Sequence, residues 1–148
     1  MNDYPVTFEG LSLPVTSLAR SVPFYQSFGF VLEVRTDQFA LLRLGSGTLG
    51  LLEIGSAAGL EPRLPSSLRA LIQVELSTPD LDGLFAHLTA AGVSIKVPPR
   101  DRGFERSMQC LDPDGFTVEF AEGRRGHNAT TPEAITPEAP PAPGDSPA

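Results

Sequence analysis

The chain has 148 residues, the length of one domain or of one domain built from two similar halves, which excludes multidomain machinery. Hydrophobic residues make up 41% and charged residues 20%, enough apolar material for a core and too little charge for disorder throughout. Eleven Lys and Arg against eighteen Asp and Glu give a formal charge of −7; with no basic block to displace counterions from a phosphate backbone, nucleic acid is not an expected partner.

In chain order, Met1-Asn2-Asp3-Tyr4-Pro5 has neither the basic nor the apolar region of a signal peptide. No uncharged apolar run approaches the roughly 18 residues that cross a bilayer, and the lone Cys110 cannot close an intrachain disulfide. A cytoplasmic protein without membrane contact is expected, which makes the sequon at Asn128 a coincidence. Leu11, Leu13 and Val15 alternate with Gly10, Ser12 and Pro14, the pattern of a half-buried strand whose proline places it at an edge or a strand end. Ser17 can cap a helix carrying Leu18, Val22 and Tyr25, and Gly29 stops it. Strands follow at 30–35, 39–44 and 49–54, the last two joined by Gly45-Ser46-Gly47.

A linker at 56–67, rich in Gly, Pro and Ser, precedes a second unit of the same order. Shifting the chain by 63 residues places Leu18 on Leu81, Tyr25 on Leu88 and Gly29 on Gly92 without a gap, the signature of an internal duplication. Ile72, Val74 and Leu76 mark the strand of that second unit, and Asp80 can cap its helix. Strands at 93–97, 106–111 and 116–120 complete it, the last two joined by the turn Asp112-Pro113-Asp114-Gly115. The expected fold is α+β: two tandem β-α-β-β-β modules, at about 7–55 and 68–122, within one domain over 1–125. Residues 126–148 are expected to be a disordered Pro/Ala-rich tail, since six of the fifteen prolines fall there and no apolar face does. Residues 1–122 hold fifteen acidic and nine basic side chains, a charge of −6, so the acidity belongs to the body.

Two such modules, with Leu-Pro-Val-Thr-Ser-Leu-Ala-Arg-Ser-Val-Pro-Phe-Tyr-Gln-Ser-Phe-Gly-Phe at 13–30 and Leu-Asp-Pro-Asp-Gly-Phe-Thr-Val-Glu-Phe at 111–120, resemble the vicinal oxygen chelate superfamily: glyoxalases, bleomycin-resistance proteins, epimerases, fosfomycin-resistance transferases and extradiol dioxygenases. The resemblance implies that the modules curl into half-cups around a cavity holding either a divalent metal or a ligand without metal. It further implies that metal ligands come from the first and last strands of the modules, which puts the ligand positions at Gly10, Gln73, Glu53 and Glu119.

Gly10 has no donor and Gln73 offers only a weak neutral carbonyl, which disfavours the dioxygenase, epimerase and fosfomycin-transferase chemistries with their paired histidines. Of the two histidines, His87 falls on a helix behind the sheet and His127 opens the tail. A glyoxalase-type lyase or isomerase stays open, with Glu53, Gln73 and Glu119 as an all-oxygen site for a divalent metal and Glu119 as proton shuttle. Strand alternation lists Ser12, Pro14, Leu51, Glu53, Gln73, Glu75, Ser77, Met108, Cys110, Thr117 and Glu119 along the cup wall. Carboxylates crowded there would need a cation: a metal, Arg43 or a ligand ammonium. Cys110 is expected as a small filler, and Arg102 and Phe104, in the charged loop 98–106, as ligand contacts. The favoured reading is a homodimer of bleomycin-resistance type that sequesters a small organic molecule without cofactor or metal, a cationic one given the acidic body.

Overall fold

The computed structural model describes residues 4–54 and 64–122. The expected tail with His127, and most of the expected linker, lie outside the described residues. The first module runs β1 (Gly10–Val15), α1 (Leu18–Gln26), β2 (Val31–Arg35), β3 (Phe39–Leu44) and β4 (Gly47–Glu53). A short helix that hydrophobic periodicity does not signal, α2 (Ser66–Arg69), leads into the second: β5 (Gln73–Thr78), α3 (Leu81–Ala90), β6 (Ile95–Asp101), β7 (Arg106–Leu111) and β8 (Thr117–Glu122).

Each module forms one four-stranded mixed sheet, in the order β1-β4-β3-β2 (sheet A) and β5-β8-β7-β6 (sheet B), the first and last strands of each module running parallel. Pro14 sits on edge strand β1 as its composition requires. The expected loop at 98–106 is largely strand: β6 continues through Pro98 and Pro99 to Asp101, with the register slipping between Val97 and Arg100. An edge strand tolerates prolines that donate no ladder bond, and the slip absorbs their fixed geometry.

Leu13, Val15, Leu42, Leu49 and Leu51 of sheet A, and Met108, Cys110, Val118 and Phe120 of sheet B, share one buried cluster with Leu18, Val22 and Tyr25 of α1 and Leu81 and Leu88 of α3. The opposite faces of the two sheets, the cup faces, are therefore turned away from this common core. A polar staple adds to it. Tyr25 Oη donates to Asp112 Oδ2 at 2.8 Å, Ser21 Oγ to Asp114 Oδ2 at 3.3 Å, and the Thr16 amide and hydroxyl donate to Asp114 Oδ1 at 3.1 and 2.6 Å. The helix motif of one module and the turn motif of the other thus meet across nearly ninety residues.

Candidate functional site

The parity of each strand decides which side chains reach a cup face. In sheet B the antiparallel pairs Met108↔Phe120 and Cys110↔Val118 alternate with Gln109↔Glu119 and Leu111↔Thr117. Val118 and Phe120 are buried in the core, so Met108 and Cys110, both 0% exposed, lie there too. Their expected place on the cup wall is corrected: reflecting the strand through the Asp112–Gly115 turn turns them inward and brings out Gln109 and Ser107, which alternation alone did not select. Burial pushes the Cys110 thiol up to about 12, with Asp112 adding to the effect, so it is a core filler.

Glu53 and Leu51 are corrected for the same reason. Val15 pairs with Glu53 and Leu13 with Leu51, which puts both on the core side of sheet A. There Glu53 Oε2 accepts the Leu18 amide at 2.7 Å and starts α1, a cap that Ser17 does not supply. Its counterpart is Glu122, paired with Thr78, whose Oε1 faces the Leu81 amide at 3.5 Å. The counterpart of Glu119, which pairs with Glu75, is Gly50, which pairs with Ser12. The two cup-face ligand positions of sheet A are therefore Gly10 and Gly50. A Cβ at Gly10 would run into the Thr48 carbonyl oxygen, so the backbone there has no room for a ligating side chain, whereas one at Gly50 would meet the Ser12 hydroxyl and crowd the Phe39 ring.

Sheet B keeps a contiguous polar strip. Gln73 Nε2 lies 3.5 Å from Glu75 Oε1, and Glu75 pairs with Glu119. Gln109 Nε2 donates to Glu119 Oε2 at 2.6 Å, and Arg102 Nη2 approaches the same oxygen at 3.6 Å. The Glu119 side chain is 13% exposed beneath an Arg102 side chain that is 30% exposed. The cation expected near these carboxylates is thus Arg102; Arg43 instead pairs with Glu33 on sheet A. Phe104, at the tip of the same hairpin, is 64% exposed. Lys96 Nζ donates to Thr117 Oγ1 and to the Ala70 carbonyl at the far end of the strip.

Ser12 lies on sheet A, exposed beside Gly50, and Phe39 packs over that glycine. Gly10, Gln73 and Glu75 line a common cleft of about 580 Å³, walled also by Phe8, Leu11 and Val74. Among the described residues no three His, Cys, Asp or Glu side chains converge to hold a metal. With glycine at both sheet A positions, the donors at ligand positions reduce to Gln73 and Glu119, which falls short of a three- or four-ligand catalytic centre.

The family model for the Glyoxalase/Bleomycin resistance protein/Dioxygenase superfamily matches residues 7–120. The chain belongs to this superfamily. No curated protein sequence matches it. Among solved structures of the superfamily's fold, TioX from Micromonospora sp. ML1 is 26% identical, with a TM-score of 0.60 over 78% of this chain and 98% of its own. The bleomycin resistance determinant of transposon Tn5 is 19% identical, with a TM-score of 0.59 over 79% and 98%. Lactoylglutathione lyase from Agrobacterium tumefaciens is 17% identical, with a TM-score of 0.62 over 80% and 95%. A bleomycin resistance determinant and a lyase therefore share the architecture, so the architecture does not fix a function.

Proposed function

We propose that this protein is a homodimer that binds a small organic molecule on the cup face of sheet B without a catalytic metal. The observation that carries the reading is the state of Glu119: its carboxylate is held by Gln109 and Arg102, and sheet A has only glycine where further metal ligands would stand. Support for a dimer comes from the outward-facing cups. The cup face of sheet A presents Phe39, Leu41 and the 44% exposed Leu52, whereas that of sheet B is polar. Joined across two copies, such faces give a pocket with one apolar wall and one hydrogen-bonding wall, the usual make-up of a small-molecule site. A body charge of −6 favours a cationic ligand. Antibiotic resistance, for which the Tn5 determinant is named, fits this reading if the ligand is a drug held by sequestration, and a cytoplasmic setting fits the lone, buried cysteine.

Calorimetric titration of chelator-stripped protein with Ni²⁺, Mn²⁺ and Zn²⁺ tests the metal-free reading. Weak binding that is indifferent to Glu119→Gln is expected; submicromolar binding abolished by that substitution would overturn it and favour a glyoxalase-type lyase or isomerase.

A further inference from the structure

The buried Ser107 hydroxyl is an orphan. Ser107 is 1% exposed and its Oγ has no hydrogen-bond partner, an unfavourable state for a buried polar group. It stands two residues from Gln109 on β7, so both side chains point to the cup face, about 7 Å apart along the strand. Its neighbours across the sheet are Ala121 on β8 and Arg100 on β6. Ala121 has no polar side-chain atom to offer, and Arg100 is exposed.

Arg102 enters the cup face from the hairpin end of this row. It leaves the tip of the β6–β7 hairpin, one step beyond the Asp101↔Arg106 pair, yet its guanidinium lies on Glu119. To get there its stem must cross the Ser107 row. Its contact with Glu119 is a loose ion pair at 3.6 Å, whereas Gln109 makes a close bond to the same oxygen. The tip backbone is fixed, with Asp101 Oδ1 accepting the Gly103 amide at 2.7 Å and the Glu105 carbonyl accepting the Arg102 amide at 2.8 Å, so any displacement of the guanidinium falls to the Arg102 side chain.

We infer that Arg102 is an internal stand-in for a ligand's cationic group, and that Glu119, Gln109 and Ser107 form a subsite for an amidinium, guanidinium or ammonium that opens when Arg102 swings out. The charge-assisted contact to Glu119 then passes from Arg102 to the ligand, and the uncovered Ser107 hydroxyl gains the partner it lacks. Because Arg102 competes with the incoming cation, it reduces apparent affinity to the fraction of time that it leaves the site open. An ion pair of this exposure makes that factor at most about fivefold. The inference rests on the metal-free reading above, but the two fail separately: metal titration addresses the former, and the sign of the Arg102 effect addresses this one.

The test uses benzamidinium as probe, with isosteric benzamide and benzoate as neutral and anionic controls, against the full-length protein. Isothermal titration should show benzamidinium binding tighter, by up to about fivefold, to Arg102→Ala and to Arg102→Gln, weakened by Ser107→Ala and lost in Glu119→Gln. The Gln109 side-chain amide resonances should shift on addition of the probe. Two substitutions at an exposed hairpin tip guard against a folding defect in either. Benzamidinium affinity unchanged or weakened on removal of Arg102, no binding to any form at millimolar concentration, or benzoate binding that needs Arg102 would each overturn the inference.

Discussion

Single side chains in this molecule divide by what surrounds them. Asp112 is buried, and burial raises its carboxyl above the ordinary value, yet it accepts from Tyr25 Oη and from the Asp114 and Phe116 amides, each at 2.8 to 2.9 Å. Removing one of these donors leaves a buried charge short of a partner, so Tyr25→Phe should cost about 1.5–3 kcal/mol, seen as a lower urea midpoint with ligand binding unchanged. Cys110 leads to a pH dependence. Its thiol is raised from 9.0 to about 12 by burial, and Tyr25 is raised as well, chiefly by burial with Asp112 adding to it. A group raised in the folded state gives stability that is whole below its unfolded pKa and lost as pH climbs toward the folded one. Stability should therefore fall by about 1.4 kcal/mol per pH unit for the thiol above about pH 9, and Cys110→Ala should flatten the unfolding midpoint measured from about pH 8 to 11. In the native state the thiol should resist alkylation at about pH 8, with labelling appearing only on unfolding.

At the scale of strands and helices, the order of elements was legible because hydrophobic period, caps and turn residues agree with one another. Leu18, Val22 and Tyr25 bury as their spacing requires, and Asp80 accepts the Gly83 amide at 2.9 Å as a capping residue should. The cup wall was less legible. Alternation gives two faces but does not say which is which until a strand is paired, and the parity of β7 follows from that of β8 only through the intervening turn. Glu53 resembled a ligand because it ends a strand as Glu119 nearly does. Its real counterpart, Glu122, emerges only from the register, since β1 and β4 pair with an offset of 38 and β5 and β8 with one of 44. If Glu53 is a cap, Glu53→Ala should cost about 1 kcal/mol and leave benzamidinium affinity untouched; a thermal melt and a titration on the same variant check both halves.

For the whole molecule, two outward cup faces on one chain imply that a single copy leaves the apolar face of sheet A, with Leu52 44% exposed, open to water. Light scattering coupled to size exclusion should give twice the 15.8 kDa of one chain, and Leu52→Arg, which puts a charge on the apolar wall, should shift the mass toward that of one chain. The staple between α1 and the Asp112–Gly115 turn is one-sided. Its counterpart in the first module, Gly45-Ser46-Gly47 between β3 and β4, has no carboxylate to offer α3. α3 is tied instead by Arg106, which reaches Asp82 at 2.9 Å and Glu122 at 3.0 Å, with an Asp82 side chain that is 72% exposed. It buries only Leu81 and Leu88, against four residues of α1. The duplicated halves should consequently loosen in sequence: amide protons of α3 exchange with deuterium through local opening, while those of α1 wait for the chain to unfold as a whole.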